Sequence, residues 1–100
     1  MSWTKILGQG SLPGPLAGAS AEIKDGEIYI FGGADKRTET NNLFKYNIRE
    51  NNWSIVETIG EPPMIRHWHS SLLVNSQLFI WGGKVGSEHL SDIYCLDLGI

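Results

Sequence analysis

The chain has one cysteine, Cys95, among its 100 residues. A lone thiol excludes an intramolecular disulfide framework and suits a reducing compartment, so a cytoplasmic location is expected. Cationic charge is also scarce, with 8 Lys and Arg against 11 Asp and Glu and a formal net charge of -3. Such a balance supplies no broad positive field to draw nucleic acid or an anionic membrane surface. No apolar run approaches the roughly 20 residues that span a bilayer, and residues 1–8 lack the apolar segment of a secretory signal. The Asn52-Trp53-Ser54 triplet matches a glycosylation sequon but carries no meaning without secretion. Histidine is sparse too. His67 and His69 would face one side of a strand, yet a third ligand is missing and His89 lies in a predicted loop, so no metal is expected.

Missing as well is any helix-period apolar stripe, although 41% of residues are hydrophobic and the chain holds four Trp, three Tyr and three Phe. The chain instead repeats itself. Trp3 recurs at Trp53, Gly10 at Gly60, Pro13 at Pro63, Ser20 at Ser70, Ile30 at Ile80, and Gly32-Gly33 at Gly82-Gly83, each by adding 50 without a gap. Residue classes agree between these anchors: Tyr29 with Phe79, Phe31 with Trp81, Leu43 with Ile93, Phe44 with Tyr94. Repeat one is 1–50 and repeat two 51–100.

Turn chemistry divides each repeat into short strands. In the first copy these fall at 19–24, 27–32, 43–48 and 53–57, and in the second at 69–74, 77–82 and 92–98. A lone segment at 2–7 resembles the Trp53 strand. Asp25-Gly26 is a strong two-residue hairpin signal because both positions accept positive φ, and Asn75-Ser76 is its weaker counterpart. Along the second strand Ile28 and Ile30 point one way and Tyr29 and Phe31 the other. Both faces are apolar, which predicts sheets stacked on both sides rather than a half-exposed sheet.

An apolar-aromatic strand, Gly-Gly, a polar loop, an aromatic-containing strand and then Trp about 20 residues beyond the glycines resembles the kelch repeat. Gly32, Gly33, Tyr46 and Trp53 carry the resemblance in the first copy, and Gly82 and Gly83 in the second. Pro62-Pro63-Met64-Ile65-Arg66-His67-Trp68-His69-Ser70 is similar to the Pro-rich entry and Arg-x-x-His-Ser of that family. The first copy departs there with Leu16, Ala19 and Ser20, and the second has Leu96 in place of Tyr46. The resemblance implies an all-β fold: two blades' worth of a kelch-type β-propeller, built from four-stranded antiparallel sheets, with the ring incomplete in one chain. It also implies structural roles for Trp3, Gly32, Gly33, Tyr46, Trp53, His69, Gly82 and Gly83.

Catalytic chemistry finds no support. Gly32-Gly33 is not followed by Lys-Ser or Lys-Thr, so a phosphate-binding loop fails. Ser70 and Ser71 near His69 lack an evident orienting acid. Some kelch-fold relatives are copper oxidases with a crosslinked Tyr-Cys pair, but adjacent strand residues such as Tyr94 and Cys95 point to opposite faces. No cofactor is expected. The favoured function is a non-catalytic protein-protein interaction module with a protein partner of unknown identity, and a fragment of a kelch-fold enzyme is the alternative. Loops held by rigid blades are the expected contact surface, with Asp35, Lys36, Arg37, Arg66, Lys84 and Glu88 as partner-binding candidates. Arg37 and Arg66 lead because a guanidinium fork suits carboxylates on a partner.

Two blades do not close a propeller, which takes four to eight. The predicted order is one fourth-type strand, one whole blade, and three strands without a fourth. Either the chain is a fragment or truncated relative of a longer kelch protein, or copies join head to tail as a homo-oligomer that completes a ring.

Overall fold

A computed structural model describes residues 1–99 as an all-β arrangement of ten strands. They are β1 (Gln9–Gly10), β2 (Ser20–Lys24), β3 (Glu27–Phe31), β4 (Leu43–Asn47), β5 (Asn52–Ile55), β6 (Ser70–Val74), β7 (Gln77–Trp81), β8 (Lys84–Val85), β9 (Glu88–His89) and β10 (Ile93–Asp97). Strands β2 to β5 form an antiparallel sheet, the first blade, in the order β5-β4-β3-β2, with β1 added in parallel on the outer edge of β5. Strands β6, β7 and β10 form the second blade in the order β10-β7-β6.

Register follows from the turns. Asp25 and Gly26 take φ values of 50° and 76°, and Asn75 and Ser76 take 48° and 66°, so both hairpins close through two residues of positive φ. Each turn is tied to the third strand of its blade in the same way: the Ile48 N–H donates to the Gly26 carbonyl at 3.1 Å, and the Leu98 N–H to the Ser76 carbonyl at 2.9 Å. The hairpins and third strands of the two blades therefore occupy equivalent places in space, 50 residues apart.

Tyr29, Phe31 and Leu43 of the first sheet pack on Leu78 and Ile80 of the second, with Val56, Leu73, Leu96 and Leu98 around them. Burying each large side chain of this kind stabilises by about 1.5–3 kcal/mol, so the blade junction is the core. Where β2 meets β6 the junction is polar. The Glu22 carboxylate accepts from Ser71 Oγ at 3.1 Å and from the Leu73 N–H at 3.0 Å, and Ser20 Oγ lies 2.8 Å from His69 Nε2.

Three expectations are corrected. Residues 2–7 form no strand, and Trp3 is 102% exposed instead of packed. The Trp53 strand forms because β4 lies beside it, whereas no described strand pairs with residues 2–7. The stretch 84–91 is not a plain loop, because Gly86 at φ 56° lets β8 and β9 close a small hairpin. The blades are also not covered on both faces: Ile23 and Ile55 on one outward side, and Leu72, Trp81 and Ile93 on the other, remain exposed.

Candidate protein-binding face

The chain enters the second blade through residues 62–69, and Arg66 sits at the centre of that passage. Its side chain is 0% exposed. Nη1 and Nη2 donate to Asp92 Oδ1 and Oδ2 at 2.6 and 3.0 Å, Nη1 also donates to the Gly82 carbonyl at 3.0 Å, and Nε donates to the Met64 carbonyl at 3.0 Å. The Asp92 carboxyl is held below its usual range, chiefly by the hydrogen bonds from Arg66. Arg66 therefore leaves the partner-contact set. A guanidinium whose donors already serve a carboxylate and two carbonyls inside the chain has no free fork for a partner.

The next residues turn outward. His67 exchanges two backbone hydrogen bonds with Lys84, both 3.0 Å, and its half-buried ring lies with Nδ1 3.4 Å from Glu39 Oε1. The same Glu39 oxygen accepts from the Gly86 N–H at 2.8 Å, which ties the 34–41 loop of one blade to the β8–β9 hairpin of the other. Trp68 follows with φ 57°, 66% exposed, its N–H donating to the Gly18 carbonyl at 2.8 Å. Lys84 Nζ stands 5.0 Å from the centre of the Trp68 ring, within cation–π range. Fifty residues earlier the equivalent position is Gly18 at φ 71°. One repeat thus uses glycine for a left-handed backbone and the other places a large aromatic there, at a cost of about 1–3 kcal/mol.

An open groove runs beside Trp68. Residues 15–17 and 34–37 line it together with His67 and Trp68, and Ala17 and Ala34 are joined there by two backbone hydrogen bonds of 2.8 and 2.9 Å. Asp35 Oδ1 accepts the N–H groups of Arg37 at 2.7 Å and Thr38 at 2.9 Å, which closes the loop tip and lowers the Asp35 carboxyl pKa. Lys36 and Arg37 are exposed at that tip. Of the residues singled out from sequence, Asp35, Lys36 and Arg37 line this groove, Lys84 borders it through Trp68, and Glu88 is exposed on β9. Trp68 was not singled out, although the Gly18 equivalence carried a signal for it.

The residues assigned structural roles are placed as follows. Gly32 and Gly33 are buried where the blades meet. A Cβ on Gly32 would come within 2.6 Å of His69 Cε1, and the Gly33 N–H donates to the Arg66 carbonyl at 2.9 Å. Gly82 and Gly83 hold the same turn in the second blade, with Gly83 against the His67 carbonyl. Tyr46 is buried, donates to Asn51 Oδ1 at 2.7 Å and stacks on Trp53 at 4.8 Å. His69 is buried, edge-on to Phe31 at 5.3 Å, and burial pushes its pKa below the usual 6.5, with nearby Arg66 and His67 acting in the same sense against the Phe31 backbone.

Repeated small antiparallel sheets, stacked face to face with inner strands side by side and loops gathered at the rim, define the β-propeller class of repeat protein. A family profile described as the KLHDC2/KLHL20/DRC7 Kelch-repeats domain matches residues 1–100, and the chain belongs to the kelch-repeat family. Among its relatives is the tip elongation aberrant protein 3 of Schizosaccharomyces pombe, 41% identical over 76 residues, covering 70% of this chain and 7% of that protein. The Rab9 effector protein with kelch motifs of Xenopus laevis is 35% identical over 100 residues, covering 95% and 27%. The human kelch domain-containing protein 3 is 30% identical over 99 residues, covering 93% and 26%. The chain thus spans about a quarter or less of the length of these relatives.

Proposed function

We propose that the chain is a non-catalytic protein-binding module whose contact face is formed by Trp68, residues 34–37 and the β8–β9 hairpin. The observation that carries this reading is Trp68: a bulky aromatic held exposed in a left-handed backbone that its sister repeat fills with glycine. Strain of this kind persists where function uses it, and exposed Trp and Arg are the side chains most enriched at binding hot spots. Lys36 and Arg37 project from the same groove, so the partner segment would carry carboxylates beside an apolar side chain. Asp35 positions this loop tip, while Lys84 and Glu88 would contribute at the edge. A relative named as a Rab9 effector supports a protein partner, and the lone thiol of Cys95 supports a cytoplasmic setting.

The enzyme alternative is weaker. Tyr94 pairs with Ile80 and Cys95 with Phe79, so the two side chains leave β10 on opposite faces and cannot crosslink within one strand. The binding reading is tested with the tagged chain against a peptide array graded in acidity and apolar content. Preferential capture of acidic peptides with an aromatic or branched residue, lost in Trp68→Ala and weakened about tenfold in Arg37→Ala, is the expected outcome. Capture unaffected by both substitutions would remove this face from consideration.

A further inference from the structure

Two copies of one backbone site meet at the groove with side chains of opposite size. Ala17 exchanges two backbone hydrogen bonds with Ala34, and fifty residues on His67 exchanges two of 3.0 Å with Lys84. The residue that follows is Gly18 in one copy and Trp68 in the other, at φ values of 71° and 57°. Ala17, Gly18 and Ala34 thus become His67, Trp68 and Lys84 on the same backbone frame.

The small member of the middle pair lies against the large one. A Cβ on Gly18 would collide with Trp68 Cδ1, and it would stand only 2.9 Å from Nε1 and 3.0 Å from the Trp68 backbone nitrogen. All three separations fall inside the distance at which dispersion is favourable. The Trp68 N–H also donates to the Gly18 carbonyl at 2.8 Å, so ring and backbone are docked on one residue. His67 and Lys84 border the same ring, with the imidazole centre and the ammonium each 5.0 Å from its centre. An indole 66% exposed to solvent is therefore held before any partner arrives.

We infer that Gly18 is the seat of Trp68, a positioning residue that fixes the indole at the groove and gives the site its preference for an apolar side chain on the partner. This role rests on the protein-binding reading. A ring already ordered costs a partner less entropy on binding than a mobile one, so it discriminates between apolar side chains while it is seated. The cations act apart from it. Lys36 and Arg37 belong to the 34–37 loop and attract carboxylates whether or not the indole is fixed. Gly18 governs selectivity, and the loop tip governs charge-driven affinity.

A size rule follows from the repeat. Positions 18 and 68 are the same place in successive copies, and the first is the seat for the second. A large side chain at this place requires a minimal one fifty residues before it.

The test measures binding of fluorescein-labelled peptides, glutamates flanking a central Ala, Leu or Phe, to the whole 100-residue chain. The parent is expected to prefer Leu and Phe over Ala by about tenfold. Gly18→Asn is expected to remove that preference while the Ala peptide binds as before. Asn accepts positive φ more readily than other side chains, so this variant adds a Cβ at little backbone cost. Gly14→Ala is the control: Gly14 takes φ 73° in the same segment between β1 and β2, a Cβ there meets nothing within 4 Å, and the preference is expected to stay. Urea unfolding reads the seat without any peptide, with Gly18→Asn lowering the folding constant about tenfold more in the parent than in a Trp68→Gly background. A preference that survives Gly18→Asn, or that Gly14→Ala removes equally, overturns the proposal, as does additive behaviour in the unfolding cycle. A parent that binds none of the three peptides, or all alike, instead removes the binding reading itself, and the role of Gly18 with it.

Discussion

Arg66 and Asp92 meet through two parallel hydrogen bonds of 2.6 and 3.0 Å, where the first repeat has Leu16 and Asn42. Both charges are absent together in one copy and present together in the other. The pair is thus a unit, and the cost of burying a guanidinium is offset only while its partner remains.

Breaking that unit from one side is expected to be expensive. Arg66→Ala removes the donors that Asp92 and the Met64 and Gly82 carbonyls use, with an expected loss of about 3 kcal/mol or more in urea unfolding. Asp92→Asn, at a partly exposed carboxylate, costs less. Arg66→Leu and Asp92→Asn, which together copy the first repeat, form a double-mutant cycle in which the double variant is expected to lose clearly less than the sum of the two singles.

Trp68→Gly separates binding from stability. Removing the side chain relieves a positive φ while giving up a ring contact with Lys84. The midpoint of unfolding is expected to stay within about 1 kcal/mol of the parent, while peptide capture on the groove is lost. A large fall in stability would show that the ring is held for packing.

His69 gives the fold a pH dependence. Its pKa is lowered by burial, so the folded state keeps it neutral while the unfolded chain takes up a proton near 6.5. The unfolded state then binds more protons, and stability falls as pH drops below 6.5 toward the lowered value while staying flat above it. Urea midpoints collected between about pH 5 and 8 are expected to show this step, and His69→Gln to abolish it. Asp92 acts in a separate, more acidic window, with stability present above its usual 3.8 and lost as pH falls through its lowered value.

Gly32→Ala and Gly82→Ala compare one turn in two settings. Both glycines take φ near 70°, so each substitution carries a backbone cost of about 1–2 kcal/mol. Only at Gly32 does the new methyl meet a packed neighbour, with His69 Cε1 at 2.6 Å and the Arg66 carbonyl at 2.9 Å, whereas the nearest atom at Gly82 is the Leu90 carbonyl at 3.7 Å. Gly32→Ala is therefore expected to cost a further 1–3 kcal/mol or so by thermal unfolding.

The strands and both hairpin turns were legible in the sequence because the 50-residue offset marks them twice and local turn chemistry decides them. What was illegible depends on neighbours. Trp3 and Trp53 sit in similar local sequence, yet one lies in a strand and the other in solvent, since a strand exists only where an edge receives it. Arg66 looks like a surface hot spot until Asp92, 26 residues on and on another element, fills its fork. The left-handed backbone of Trp68 is hinted at only by Gly18 at the matching position, and a glycine in sequence is equally an ordinary turn residue.

Greasy contacts between stacked sheets tolerate sliding, while a carboxylate aimed at one amide does not. Glu22 holds the Leu73 N–H and the Ser71 hydroxyl across the blade junction, while the groove beside Trp68 takes residues 15–17 and 34–37 from the first blade and His67 and Trp68 from the segment that enters the second. It acts as the pin of a caliper: a carboxylate that locks the offset of the two sheets also sets where Trp68, on one, stands against the 34–37 loop of the other.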